Sequence, residues 1–208
     1  MAGPFSYLDI ETIPDQSEGA LERAREGVSI PANYKNEETI EKYKDEKAQE
    51  AWEKTALDGF KGHVCCIVRD QTRYILRSVK EEKDLLERFF TGMKECVLVG
   101  HNIIGFDIQF LTRRALVLGV ELPYEYIWPR ALKPWDKSVF DTMTALGGKD
   151  WVSLDNLAKA LRIRGKSGNG GAVNFMWQQG LHDEISDYCA DDVRVVREIH
   201  KRFLACGW

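Results

Sequence analysis

The sequence lacks paired cysteines, long apolar runs and an excess of positive charge, and each absence excludes a class of protein. The five cysteines include no Cys-x-x-Cys pair and their number is odd, which disfavours a disulfide framework or a structural zinc site. No apolar run approaches the length of a membrane span, so we expect no membrane partner. The first residues lack the basic and apolar regions of a signal peptide, and we expect a cytoplasmic protein.

The formal net charge is -4, whereas a protein that coats a nucleic-acid duplex is usually basic. This charge does not exclude an enzyme that holds a nucleic-acid end through metal ions and a small basic patch. The chain has 208 residues, of which 44% are hydrophobic and 30% are charged. This composition predicts one soluble globular domain over residues 1–208, with room for an insertion.

Residues 15–60 differ in composition from the rest of the chain. They contain 12 acidic and 7 basic residues, a net charge of -5, so that the remainder carries about +1. Apolar residues are sparse in this stretch, which predicts one or two solvated helices inserted after the first strand. Two roles stay open for the insertion: a charged surface excursion, or a mobile arm that contacts substrate or a partner protein.

The remaining pattern alternates strands and helices. A strand meander comes first and alternating helices and strands follow, which predicts a three-layer α/β domain with a mixed sheet. The stretch CVLVG is wholly apolar, as is typical of a strand buried on both faces. The predicted strands are 5–11, 63–69, 72–78, 96–100 and 139–143, and the predicted helices are 81–94, 105–118, 154–162 and 183–204.

The first strand, FSYLDIET, carries two acidic residues on one face. Side chains alternate along a strand, so Asp9 and Glu11 point the same way, roughly 6–7 Å apart. Two neighbouring carboxylates repel each other, and a divalent cation is the usual reason for such a face.

A third acidic residue, Asp107, follows the buried strand CVLVG near the start of a predicted helix. Loops at the carboxyl ends of sheet strands are where α/β proteins bind ligands. An aspartate at a helix start also serves as a cap or a dipole partner, and that alternative stays open.

The fourth is in the last predicted helix. At 3.6 residues per turn Asp192 falls within the apolar stripe of this helix, whereas Asp191 projects about 100° away. Tyr188 lies one turn before Asp192 on the same face. A carboxylate on the core side of a helix is costly unless it is paired or binds metal.

Four convergent carboxylates would form an oxygen cage suited to Mg²⁺ or Mn²⁺. Two such ions about 3.5–4 Å apart activate water and stabilise both the attacking and the leaving oxygen at a phosphodiester. The four candidates for this cage are Asp9, Glu11, Asp107 and Asp192.

At these motifs the sequence resembles the DnaQ-like, or DEDD, 3′–5′ exonucleases, most closely the exonuclease domain of family B DNA polymerases. LDIET (8–12) looks like the first motif, HNIIGFD (101–107) like the second, and YCADD (188–192) like the third motif of the tyrosine branch. The histidine branch has His five residues before the last Asp, and this chain has Asp187 there.

The resemblance covers roughly residues 5–14 and 62–204, and residues 15–60 depart from it. It implies a ribonuclease H-like three-layer α/β/α fold with a mixed central sheet, a charged helical insertion after the first strand, and a single 3′–5′ exonuclease domain over 1–208. It also implies two divalent metal ions, Mg²⁺ or Mn²⁺, and a nucleic-acid partner with a free 3′ end.

The resemblance implies a role for each motif residue. Asp9 would bridge both metals, Glu11 and Asp192 would complete the site of the metal that activates water, and Asp107 would hold the second metal largely through water. Tyr188 would orient the attacking water, because the pKa of a free tyrosine is about 10 and makes it a poor base.

The resemblance also implies a pocket for the terminal nucleotide. Asn102 and Phe106 would contact it by hydrogen bond and by packing, and Ile10 and Thr12 would line the same pocket. Separately, the Gly-rich loop 165–171 follows two arginines and contains Lys166, and a flexible basic loop of this kind can hold a phosphate backbone. Its spacing is not that of a Walker motif.

The predicted function is a stand-alone exonuclease that hydrolyses DNA from single-stranded or frayed 3′ ends and releases nucleoside 5′-monophosphates. Three alternatives stay open: a 3′–5′ exoribonuclease on RNA ends, an endonuclease of the related ribonuclease H class, and a non-catalytic module that binds nucleic-acid ends. The presence of all four acids and the tyrosine favours an enzyme.

Overall fold

The structure is a computed structural model, and it describes residues 4–125, 127–129, 137–146, 151–165 and 172–208. A five-stranded mixed sheet forms its centre. The strands are β1 (Phe5–Ile13), β2 (His63–Arg69), β3 (Thr72–Ile75), β4 (Val97–Gly100) and β5 (Val139–Asp141). The helices are α1 (Ala20–Glu26), α2 (Glu37–Lys54), α3 (Glu82–Thr91), α4 (Asp107–Leu118), α5 (Leu154–Ala160), α6 (Val173–Gln178) and α7 (His182–Ala205).

The strands lie in the order β3-β2-β1-β4-β5, with β1 at the centre. β1 is antiparallel to β2 and parallel to β4, and β4 is parallel to β5. The pairing of β1 with β2 shifts register between Glu11 and Thr12, and Thr12 and Ile13 pair with β2 beyond this irregularity. This arrangement confirms the predicted mixed α/β sheet and is consistent with a ribonuclease H-like exonuclease fold.

The two faces of the sheet are covered by different helices. On one face, Tyr7 of β1 bonds to His200 of α7, and Arg73 of β3 bonds to Ser186 of the same helix. On the other face, Tyr74 of β3 packs edge-on against Phe89 of α3. Since neighbouring residues of a strand point to opposite faces, α7 and α3 lie on opposite sides of the sheet. The sheet therefore lies between α7 on one side and α3 on the other, which gives the three layers that the sequence predicts.

Local sequence signals set several helix ends. The Ser153 hydroxyl accepts the backbone N–H of Asn156 at 3.3 Å and begins α5, as predicted. Gly119 follows the last residue of α4 and caps it, and its φ of 64° is in the left-handed region that favours glycine. Helix α6 was not predicted, because six residues without a side-chain cap carry too little periodicity to identify a helix.

Residues 15–60 contain two solvated helices, within the number predicted. Ala48 is the one residue of α1 and α2 that is fully buried. Salt bridges join the two helices, because Arg25 of α1 pairs with Glu41 and Asp45 of α2. Exposed pairs of this kind stabilise a fold weakly, so α1 and α2 hold together without contributing much to the core.

A buried ionic cluster ties α3 and α4 to β2. The Glu82 carboxylate accepts hydrogen bonds from Arg114 Nε at 2.9 Å and from the backbone N–H of Val64 at 2.8 Å, and its second oxygen lies 2.7 Å from His63 Nδ1. Burial alone would raise the pKa of Glu82, but the bonds from His63 and Arg114 and the Arg114 charge lower it overall. Within the part of the chain described, no helix is both long and apolar enough to cross a membrane.

Candidate active site

The first part of the site is the end of β1. Asp9 and Glu11 are partly exposed, whereas the alternate residues Leu8 and Ile10 are buried in the core. Asp9 lies opposite Val68 and Glu11 lies opposite a cysteine, Cys66, on β2. The alternation therefore places both carboxylates on the α7 face at the centre of the sheet, as the sequence predicted.

Helix α7 brings its own acidic residue to this face. Asp192 and Tyr188 are both buried on the side of α7 that packs against the sheet. Between them in sequence, the buried Cys189 thiol lies 3.4 Å from both the carbonyl oxygen and Oδ2 of Asp9. These contacts fix α7 against β1 at the level of Asp9.

Asp107 reaches the same place from the other side of the sheet. It is the first residue of α4 and only 3% exposed. Its Oδ1 accepts the backbone N–H of Ile10 at 3.1 Å, and Ile10 lies between Asp9 and Glu11. The start of α4 is therefore joined to β1 at the point where the first two carboxylates project.

The charges of three of the predicted acids act on the fourth, Asp9. Burial raises the pKa of Asp9 well above its usual range, and the charges of Asp107, Glu11 and Asp192 raise it further. Burial also raises the pKa of Asp107 from 3.8 to about 7, although its hydrogen bonds to backbone N–H groups oppose the shift. A buried carboxylate whose proton affinity is raised by three neighbouring acids lies in a site that favours a bound cation.

The donor atoms fit a divalent cation. Carboxylate oxygens of Asp9 and Glu11 and the sulfur of Cys189 all lie within 4.8 Å of one another. Oxygen donors suit Mg²⁺ and Mn²⁺, whereas sulfur is a poor ligand for either. Burial and the carboxylates of Asp9 and Glu11 raise the pKa of the Cys189 thiol, so it donates a hydrogen bond to Asp9 as a neutral group. The carboxylates are therefore the candidate metal ligands, and the thiol is not.

Asp141, at the end of β5, organises the loop that precedes Asp107. Its buried carboxylate accepts the backbone N–H groups of Asn102 at 2.9 Å, Ile104 at 3.1 Å and Met143 at 2.9 Å. Asn102 needs this support, because its φ of 60° is unfavourable for a residue with a side chain. The sequence analysis assigned no role to Asp141, although an aspartate ending a strand beside β4 was the available signal.

The predicted nucleotide pocket is only partly formed by side chains. Ile10 is buried, so a pocket contact from this residue would come from its backbone. The Thr12 hydroxyl donates to the carbonyl oxygen of Ala56 at 2.6 Å. Asn102 and Phe106 are partly exposed near the start of α4, with the Phe106 ring 5.5 Å from that of Phe110. Lys166 and the rest of the basic loop lie outside the described residues.

The chain matches one family model over residues 62–196, which is more than half of its length. The family is described as "Predicted 3'-5' exonuclease related to the exonuclease domain of PolB". No curated protein matches the chain. The matched span contains Asp107, Tyr188 and Asp192 but begins after β1, so it does not include Asp9 and Glu11.

Proposed function

The chain belongs to the family of predicted 3′–5′ exonucleases related to the exonuclease domain of PolB, and from this premise we propose a two-metal 3′–5′ exonuclease acting on DNA. Its substrates are single-stranded or frayed 3′ ends, and its products are nucleoside 5′-monophosphates. The observation that carries the proposal is that Asp9, whose burial raises its pKa, is also acted on by the charges of Asp107, Glu11 and Asp192, while Asp107 bonds to the backbone of Ile10 beside it.

Four side chains would hold the metal ions: Asp9, Glu11, Asp107 and Asp192. When bound, divalent ions supply an activated water and stabilise the charge that develops at the scissile phosphate. The central position of Asp9 among the other three carboxylates supports a shared ligand role for it. Asp107 is attached to the Ile10 backbone, and this bond supports a fixed position relative to Asp9.

Tyr188 would orient the attacking water through its hydroxyl group. It lies one turn before Asp192 on the buried side of α7, so its phenol and the Asp192 carboxylate face the same layer. A hydroxyl in this position contributes alignment of the water, whereas the ligands contribute metal binding itself. Loss of the hydroxyl should therefore slow cleavage less than loss of a carboxylate.

The test is digestion of 5′-labelled single-stranded DNA and of RNA of the same sequence, with Mg²⁺, Mn²⁺ or EDTA. We expect a DNA ladder that shortens from the 3′ end, stops in EDTA, and is absent for Asp9→Ala and Asp192→Ala. Tyr188→Phe should retain measurable cleavage. The matched control is Asp84→Asn, which alters an exposed carboxylate on α3 and should leave the rate unchanged.

Three outcomes would contradict the proposal in different ways. Shortening of RNA alone would change the substrate to RNA ends. Intact substrate in every lane, with binding retained, would favour a module that holds nucleic-acid ends. Equal loss from Tyr188→Phe and Asp9→Ala would contradict the orienting role of the tyrosine.

A further inference from the structure

A short segment between α2 and β2, residues 55–60 (TALDGF), lies directly beside the candidate site. The carbonyl oxygen of Ala56 in this segment accepts a hydrogen bond from the hydroxyl of Thr12, the residue that follows Glu11. At its start, the Thr55 hydroxyl accepts the backbone N–H of Asp15 at 2.8 Å. The segment is therefore attached to the end of β1, where the carboxylates project.

Its other end is pressed against α4. A Cβ atom on Gly59 would lie 2.8 Å from the carbonyl oxygen of Phe110, which leaves no room for a side chain there. Beyond the segment, a Cβ atom on Gly62 would lie 2.9 Å from the carbonyl oxygen of Ile13. Close backbone contacts at both ends hold residues 55–60 in one position between β1 and α4.

Two large apolar side chains nevertheless point into solvent from this well-held backbone. Leu57 is 66% exposed and Phe60 is 56% exposed. The backbone at Phe60 is held in place, because its N–H donates a hydrogen bond to Oδ1 of Asp58 at 3.0 Å. An aromatic ring and a leucine presented on a fixed loop beside a site form a surface available for contact.

The charges around the segment indicate the class of partner. The Arg113 guanidinium lies 5.4 Å from the centre of the Phe60 ring. Lys54 and Lys61, both exposed, flank the segment in sequence. Asp58 opposes them, with one carboxylate oxygen bonded to the Phe60 backbone. Aromatic faces combined with cations bind single-stranded nucleic acid, since bases stack on the rings and phosphates pair with the cations.

We propose that Leu57 and Phe60 form a wall on which the bases next to the 3′ end stack, while Arg113 contacts the backbone phosphates. This inference rests on the proposed function and extends it, because it assigns a single-stranded substrate to the site and gives a role to the end of the 15–60 stretch. Residues 55–60 precede the span that matches the family, so the wall is a feature of this chain rather than of the matched region.

The experiment measures binding without cleavage. A 5′-fluorescein single-stranded DNA is titrated in EDTA against the wild type, Phe60→Ala, Leu57→Ala and a control variant, and anisotropy gives the Kd. The control is Leu204→Ala, because Leu204 is 40% exposed and lies in the last turn of α7, twelve residues beyond Asp192. A second probe has the same backbone with abasic sites at its last three 3′ positions.

We expect Phe60→Ala to weaken binding of the intact strand by roughly 5- to 100-fold, from the usual contribution of one stacked base. Leu57→Ala should weaken it less, and Leu204→Ala should leave the Kd unchanged. The abasic strand should bind the wild type more weakly than the intact strand and should not distinguish wild type from Phe60→Ala. Unchanged thermal unfolding of each variant verifies that the fold is intact.

Equal binding of the intact and abasic strands by the wild type would overturn the wall, as would an unchanged Kd for Phe60→Ala. A failure of the wall can be distinguished from a failure of the proposed function. If strands are shortened normally while Phe60→Ala binds like the wild type, the wall is wrong and the exonuclease stands. If the base-dependent binding is found but no strand is ever shortened, the exonuclease is wrong and the wall stands.

Discussion

Replacing Asp107 by asparagine tests directly whether burial makes the charge of this carboxylate costly to the metal-free protein. Asparagine keeps an oxygen that can accept the Ile10 N–H, so the change removes a charge while it preserves the bond that positions α4. Because Asp107 is 3% exposed, solvent screens its charge poorly. The substitution should therefore make the metal-free protein more stable at the pH where the carboxylate is ionised.

The magnitude follows from the pKa of Asp107, which burial raises from 3.8 to about 7. Between these values the folded chain keeps a proton that the unfolded chain has released, so the free energy of unfolding falls as the pH rises and levels off above about pH 7. The full difference corresponds to about 4 kcal/mol. We expect Asp107→Asn to exceed the wild type by up to about 4 kcal/mol at pH 8 and by about 1 kcal/mol at pH 4.5.

The assay is urea unfolding in EDTA at both pH values, followed by thermal unfolding with and without Mg²⁺ at pH 8. Mg²⁺ should raise the Tm of the wild type and raise that of Asp107→Asn less, because one ligand carries no charge. Asp84→Asn removes an exposed carboxylate and should show no such dependence on pH. A variant that is equally stabilised at both pH values, or destabilised at pH 8, would refute the reasoning.

Three further predictions concern residues outside the metal ligands. Arg114→Leu leaves the buried Glu82 carboxylate without its guanidinium partner and should lower the free energy of unfolding by about 3–5 kcal/mol in urea. Asp141→Ala removes the acceptor of the Asn102 N–H and should raise KM roughly tenfold, with partial recovery in Asp141→Asn. Burial lowers the pKa of His200, so over the range below pH 6.5 the unfolded chain binds a proton that the folded chain does not; the free energy of unfolding should rise with pH up to about 6.5, and His200→Phe should flatten that rise.

The elements and the acidic motifs were predictable because their signals are local. Alternation along β1 places Asp9 and Glu11 on one face, and the 3.6-residue repeat of α7 places Asp192 on the buried side. Strand and helix ends differ from the predictions by a few residues, since terminal turns carry weak periodicity. Each of these properties depends on neighbours within one or two turns of chain.

What joins distant parts of the chain was decided by the tertiary structure. The bond from Ile10 to Asp107 spans 97 residues, and the contact of Cys189 with Asp9 spans 180. No periodicity encodes such contacts, because they arise only when helices pack on a finished sheet. The hydrogen bond from the Thr12 hydroxyl to the carbonyl oxygen of Ala56 is another contact that no local pattern encodes. The sequence by itself determined which acidic residues are candidate metal ligands, whereas packing decided how close they come and how strongly their charges interact.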